Sequence, residues 1–559
     1  MKSLINKLRM INKNKIQVNI ILRICLLLLA CCLFLYSSAQ RDTTKKQTIN
    51  ITSSYKPALR NPVKINLSAS PFAADTTRPR LAYDIPAQNL FFSYQPITLK
   101  PLALTQDTSL QLGDRNFVKA GFGNFTTPYV DAAFSFGDGK KNLLNLYGGY
   151  VSSKGKITNQ DFSELNVKAA GNIFSAKHET YASAGLQQHQ YYLYGYDHSL
   201  HNFSKDSISR KYQDFSVSAG FRNIITNNFN FNYNPNAEAH VFTRENKVNE
   251  TTIIADVPVE KKFGENVSFK VALHADVNQL TNSINNSKIT NNLFQVAPEV
   301  VYYSDRFTFH GGITPSWNNN QVSILPNIYG EAQLQHNVLM IQGGWVGRYI
   351  SNSFRSLSAL NPYMQDPAFL RNTKETQYYG GIKATLGKHF SFSAKAAFIT
   401  YNDMPLFVND STDGKSFVIT NENKMQDLQI HGDMSLVSQD KFTLTAAIDA
   451  NTYTGLHTNA FAWGLIPLRL TGSFRWHAFK EVLFKADIFT FSGVEALLKN
   501  NVEKKLNSGT DLSAGAEFKV DKRFSLWLDL NNILNSKYER WNNYPVYGLN
   551  VLGGIIVHL

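Results

Sequence analysis

Ten very short polar turns, spaced from Gly137 to Arg523, divide this chain into pairs of segments with period-two alternation. They centre on Gly137-Lys141, Ser175-Lys177, Thr226-Asn228, Gly264-Asn266, Ser304-Arg306, Gln335-Asn337, Gly387-His389, Ser438-Lys441, His477-Lys480 and Asp521-Arg523. The stretches between successive pairs are mostly longer and richer in Asn, Ser and Asp, the longest near 193–210, 351–375, 401–424 and 493–510. Tight turns at one end and long loops at the other are the pattern of an antiparallel barrel crossing a bacterial outer membrane, with the turns in the periplasm. Ten turns join eleven hairpins. The fold class expected is all-β, a transmembrane antiparallel β-barrel of about 22 strands, or about 16–18 if the hairpins flanking 401–424 and 493–510 are lost.

The alternation says which side chains face lipid. Val267, Phe269, Val271, Leu273, Ala275 and Val277 form one face of a strand, and Ser268, Lys270, Ala272, His274, Asp276 and Asn278 the other. Phe442, Leu444, Ala446 and Ile448, and then Phe524, Leu526, Leu528 and Leu530, repeat the apolar face. Successive side chains point to opposite faces of a sheet, so these sets should point outward and their partners into a wet lumen. A charge at Leu528 is then expected to cost roughly 2–4 kcal/mol near the midplane, and one at Asn531 to be mild.

Residues 1–39 read as a secretory signal. A basic region (Lys2, Lys7, Arg9, Lys13, Lys15, Arg23) precedes an apolar run from Ile24 to Tyr36, and Ser37-Ser38-Ala39 places small residues before Gln40. The run is short of the roughly 20 residues a spanning helix needs. Residues 40–112 hold Pro57, Pro62, Pro71, Pro79, Pro86, Pro96 and Pro101. Proline removes a ladder donor, so this stretch is expected to be an extended arm, not a set of central strands. It would lie in the periplasm, or in the lumen or across its periplasmic mouth, where Tyr83, Phe91, Phe92 and Tyr94 supply apolar contacts. The barrel should occupy 113–559.

Several function classes find no support. All three cysteines, Cys25, Cys31 and Cys32, fall in the signal, which leaves no thiolate for a metal, a disulfide or a nucleophile. The net charge of +14 falls to about +8 without the signal, and no basic stripe with stacking aromatics suggests nucleic acid. No zinc, phosphate-loop or nucleophile-elbow motif is found, so neither an enzyme nor a cofactor is expected. His198 and His201, beside Asp197, are the nearest approach to a metal cluster and read better as solvated loop residues. His274 and Asp276 share a face, two residues apart, as a polar lumen pair.

The candidate lumen-lining residues are Lys119, Lys168, Lys270, His274, Asp276, Lys383, Lys395, Asp449, Arg469, Arg475, Lys485, Asp487 and Asp529. Cross-strand opposite-charge pairs would make them a stiffening lattice. A ring of excess Lys and Arg would instead favour anions. The small excess argues for the lattice.

Leu528 to Glu539, with Asn531-Asn532-Ile533-Leu534-Asn535-Ser536-Lys537-Tyr538 at its heart and Tyr544-Pro545 and Gly548 after it, resembles the C-terminal strand pair of TonB-dependent receptors. Lys119 to Pro128 resembles the barrel start of plug-lacking relatives of that family. The resemblance implies a 22-stranded outer-membrane barrel involved in solute binding or transport. Residues 40–112 are shorter than the receptors' plug domain and show no energy-coupling box, so a non-transporting accessory barrel that binds a partner protein stays open. The partners expected are outer-membrane lipid including lipopolysaccharide, the barrel-assembly machinery during biogenesis, and a periplasmic or outer-membrane protein.

Overall fold

The computed structural model describes residues 116–559, apart from 138–140, 226, 228, 336–337, 388, 413 and 439–440. The expected signal and arm lie outside the described residues. Between Phe117 and His558 the chain forms a closed barrel of 22 antiparallel strands. The first are β1 (Phe117–Gly123), β2 (Thr127–Gly137), β3 (Asn142–Lys154), β4 (Asp161–Phe174), β5 (His178–Tyr192) and β6 (Ser209–Asn223). Next come β7 (Phe231–Tyr233 and Asn236–Arg244), β8 (Val248–Phe263), β9 (Val267–Asn282), β10 (Ser287–Thr290 and Leu293–Tyr303), β11 (Phe307–Asn318) and β12 (Gln321–Gln335). β13 (Leu339–Ile350), β14 (Thr373–Leu386), β15 (Phe390–Asn402), β16 (Met425–Ser438) and β17 (Phe442–Thr454) follow. The last are β18 (Leu468–Phe479), β19 (Val482–Ser492), β20 (Gly509–Lys519), β21 (Phe524–Asn531) and β22 (Asn550–His558). Pro235, which has no N–H to give, sits at the break in β7.

β1 pairs with β2 on one side and with β22 on the other, from Phe117↔His558 to Gly123↔Leu552. That seam removes the sheet edge. In hydrocarbon a free N–H or C=O finds no water, so closure is what lets strands cross at all. The Trp527 indole donates to the Ala120 carbonyl at 3.3 Å and packs with Tyr129, Leu552 and Ile556 on the inner side of the seam. Lys119 lies 4.2 Å above the Trp527 ring.

Outward faces follow the alternation. Phe269, Leu273, Leu526 and Leu528 are exposed, and Phe442 and Leu530 occupy the same faces with partial exposure. The ten short turns all fall at one end of the wall. Six long connections fall at the other, spanning 193–208, 351–372, 403–424, 455–467, 493–508 and 532–549. The last, 532–549, folds as the loop joining β21 to β22, the closing strand pair that the C-terminal motif resembled. Some connections at that end are as tight as the turns, such as 124–126 and 319–320. No helix among the described residues is long and apolar enough to cross a membrane.

Asn531 corrects one expectation. It is buried and hydrogen-bonded to Asn550 at 3.2 Å, so a charge there is not mild. Thr445, exposed on the inner face of β17, is the better control. Leu528→Lys should cost roughly 2–4 kcal/mol in denaturant refolding into vesicles if it lies near the midplane, and Thr445→Lys less than half as much.

Candidate functional site

All 13 candidate lumen residues lie on the face opposite the exposed apolar side chains, and most meet an opposite charge. Asp449 accepts from Arg469 at 2.6 Å and from His431 at 2.6 Å, both directly across the ladder. Asp529 lies 3.6 Å from Lys119 and 2.8 Å from Lys485. Lys485 reaches it across Gly515, where any Cβ would meet the Lys485 stem and the Asp529 carboxylate at 2.3 Å. Arg475 pairs with Asp487 at 3.1 Å, Lys270 with Glu299 at 3.2 Å and Lys383 with Glu331 at 3.4 Å. Lys395 donates to Gln377 at 2.9 Å. Lys168 is exposed and has no ion-pair partner among the described residues.

His274 and Asp276 do not pair as expected. The His274 ring lies 2.7 Å from Asp256, its direct cross-strand neighbour on β8, while Asp276 is buried further along β9. Side chains two apart on one strand stand further from each other than side chains directly across the ladder. His198 turns to the Tyr194 carbonyl, and Asp197 caps the Ser199 N–H, so these loop residues do not converge. No group of three His, Cys, Asp or Glu side chains among the described residues could hold a metal.

The larger constellation stands at the long-loop mouth, and the polar scan of the sequence missed it. Tyr363, in the β13–β14 loop, stacks on Tyr544, in the β21–β22 loop, with ring centroids 3.6 Å apart. Tyr194, in the β5–β6 loop, meets both rings edge-on at 6.0 and 4.8 Å. Strands so far apart in the ladder cannot touch along the wall. Their loops must reach across the opening. Phe354, Leu357, Met364, Phe407, Phe417 and Trp541 fill out the same buried cluster. Fully burying one such side chain is worth about 1.5–3 kcal/mol. The mouth therefore carries a small hydrophobic core of its own.

Hydrogen bonds fix each loop to that core. The Tyr194 hydroxyl donates to the Pro545 carbonyl at 3.0 Å, and Gln160 donates to the same oxygen at 2.9 Å. The hydroxyls of Tyr544 and Tyr547 donate to the carbonyls of Lys415 and Gln160. Gly195 admits the Tyr544 ring, since any Cβ there would lie 2.3 Å from it. A short helix, α1 (Phe354–Leu360), begins with a Ser353–Ser356 capping box, and its first N–H groups donate to the buried Glu250 carboxylate at 2.5 and 3.1 Å. The Arg244 guanidinium, at the end of β7, forms a two-pronged pair with Asp366 at 2.7 Å on each prong. The sequence did carry a signal: aromatics at 538, 541, 544 and 547, spaced by three, lie in a stretch otherwise rich in Asn.

Glu422 holds the neighbouring loop. Its buried carboxylate accepts from the backbone N–H groups of His457, Thr458 and Asn459 at 2.8, 2.9 and 2.7 Å. Burial pushes its pKa up, but the Asn459 amide and these N–H groups outweigh that and leave it below the ordinary glutamate value. A depressed folded pKa means the anchor is fully present above the unfolded value, about 4.3, and is lost as pH falls through the folded one. Amide exchange at 457–459 should therefore be slow and flat from pH 8 to 5, after correction for intrinsic exchange, and rise below about pH 4. Glu422→Gln should exchange fast throughout.

The Arg244–Asp366 pair makes a second test. Arg244 is buried and also meets Glu245 at 3.1 Å, so losing Asp366 alone removes one of its two acids, while losing both leaves a buried charge uncompensated, which costs about 3–5 kcal/mol. Asp366→Ala should speed protease cleavage within 351–372 on intact cells, and Glu245→Ala/Asp366→Ala, which takes both acids from Arg244, should be cleaved faster still.

No family model and no curated protein matches the chain. Solved structures do. The iron transporter FrpB of Neisseria meningitidis aligns with a TM-score of 0.60 at 11% identity, covering 79% of this chain and 80% of that one. The ferric enterobactin receptor PfeA of Pseudomonas aeruginosa aligns at 0.56 and 10%, covering 79% and 80%. The copper transporter OprC aligns at 0.56 and 11%, covering 80% of each chain. At these identities the likeness is one of fold. It is the 22-strand barrel of TonB-dependent receptors, the fold that the two ends of the barrel sequence resemble. A closed barrel of this kind, apolar outward, is an outer-membrane protein.

Proposed function

We propose that this outer-membrane barrel, built on the fold of TonB-dependent receptors, binds a solute at its long-loop mouth and passes it inward, with the loop core as its gate. The observation that carries the reading is the aromatic cluster around Tyr363 and Tyr544, which joins loops from distant parts of the wall across the opening. A wall-only barrel of this width would leak, since barrels of 22 strands have a plugged lumen. A roof made of separate loops can part without disturbing the wall, because the loops are tied by a few discrete contacts such as Arg244–Asp366. The paired charges beneath give a wet, near-neutral passage. Iron, ferric enterobactin and copper, the cargoes named for the structural neighbours, form the first panel of solutes to try.

Single-channel recording in planar bilayers tests the gate. The full chain should stay closed. Asp366→Ala combined with Tyr544→Ala should give long-lived open events. A variant that stays closed both with and without residues 40–112 would favour the other reading, an accessory barrel whose loops bind a partner protein.

A further inference from the structure

One sector of the lumen wall departs from the balance of charges. On the inward faces of β6 to β9, beneath the roof, stand Asp214, Glu238, Asp256 and Asp276. Two imidazoles sit among them. His240 lies 3.1 Å from Asp214 and 2.7 Å from Glu238, and His274 lies 2.7 Å from Asp256. Lys270 and Arg222, on the same faces, are engaged with Glu299 on β10 and Glu179 on β5. Among the described residues, the one lysine or arginine within ion-pair distance of the four is Arg355, 4.0 Å from Asp214. Even with both imidazoles protonated, four carboxylates outnumber three cations.

Arg355 is not part of the wall. It belongs to α1, in the roof, and its guanidinium has Asp214 and Asp276 as charged neighbours. It fits loosely. Its ion-pair contact is the long one to Asp214, and its Nε–H has no acceptor among the described residues. The wall's acceptors are unsatisfied too. Asp276 is only 4% exposed and meets Ser351, yet its Oδ1 has no donor among the described residues. The Oδ1 of Asn278, at the next inward position of β9 and also buried, has none either. A buried acceptor left without a donor costs about 1–3 kcal/mol. Two such oxygens on adjacent inward positions, beside an excess of carboxylates, suit a group that carries positive charge and several N–H donors.

We propose that this sector is the subsite for a cationic end of the solute, an ammonium or guanidinium group, and that Arg355 is the resident cation the solute replaces. The inference rests on the reading of the roof as a gate over a solute path, and it names the chemistry of what passes. Glu238 and Asp256, with side chains 44% and 41% exposed, open to the lumen and can be reached from it. Asp214 and Asp276 lie deeper, behind Arg355. Arg355 moves with α1, so parting of the roof withdraws the resident cation and leaves the carboxylates for the solute. A bare metal ion is the poorer fit, because no three of these side chains converge on one point. An ammonium or guanidinium spreads its N–H groups over several acceptors.

Isothermal titration calorimetry of the purified full chain tests this, with agmatine, which carries a guanidinium and an ammonium, and neutral 1,6-hexanediol as probes. The wild type should bind agmatine and not the diol. Glu238→Gln and Asp276→Asn should each weaken binding roughly tenfold or more, the loss expected when a hydrogen bond to a charged group is removed. Asp433→Asn, at an exposed acid on β16 outside the sector, should leave binding unchanged. Arg355→Gln should bind agmatine more tightly than the wild type, because the competing cation is gone. A merely structural arginine would give no such gain. Heat-modifiability on a gel reports that each barrel has folded, and Asp256→Asn serves if Asp276→Asn does not fold. No binding of agmatine, equal binding of the diol, or an Arg355→Gln variant that binds no tighter would overturn the proposal. Opening of the Asp366→Ala/Tyr544→Ala channel in bilayers is read without agmatine, so failure of the gate and failure of the subsite are told apart.

Discussion

The constraint on which everything else depends is that hydrocarbon contains no water. A strand in lipid must have every N–H and C=O paired, so the sheet has to close. The seam between β1 and β22 meets that demand with a seven-residue ladder. Closure with an even number of strands places Phe117 and His558 at the same end, beside the short turns. It also separates the remaining chemistry into three surfaces. The outward face must be apolar, the inward face is free to be polar, and the long loops can only fold among themselves or over the mouth.

On the inward face the result is a lattice of charges paired across strands. Exposed ion pairs are individually weak. Here the wall fixes the partners opposite each other before they meet, as with Asp449 and Arg469, so little ordering remains to oppose them. Pairing also neutralises the surface. Lysines and arginines that a composition count would assign to an anion-favouring ring are mostly engaged with Asp529, Asp487, Asp449, Glu299 and Glu331.

At the mouth the long loops behave as a small domain with no secondary structure to speak of beyond α1 and short ladders. Its stability comes from aromatic burial, and its specificity from hydrogen bonds of tyrosine hydroxyls and asparagine amides to loop carbonyls. Glu250 and Glu422 do similar work at two points. Each is a buried carboxylate satisfied by successive backbone N–H groups, which pins the start of α1 in one case and the 457–459 turn in the other. Such anchors are local, so a loop can be released singly while the wall stays intact.

The sequence by itself determined the barrel. Period-two alternation and ten tight turns are local properties, and closure in lipid follows from them with no knowledge of distant contacts. Strand number, outward residues such as Phe269 and Leu526, and the inward placement of Lys119 or Asp529 were all legible for that reason. Only the tertiary structure decided who pairs with whom. His274 chose Asp256 on the next strand over Asp276 on its own, because register, not sequence distance, sets proximity. Asn531, polar and on the expected face, turned out buried because the strand ends there and Asn550 closes over it. The roof was least legible. Tyr363, Tyr194 and Tyr544 lie in three loops far apart in the chain, and nothing local says that a loop aromatic will find another across the mouth. Curling the wall into a barrel brings those loops within reach, and burial of their rings then selects one arrangement.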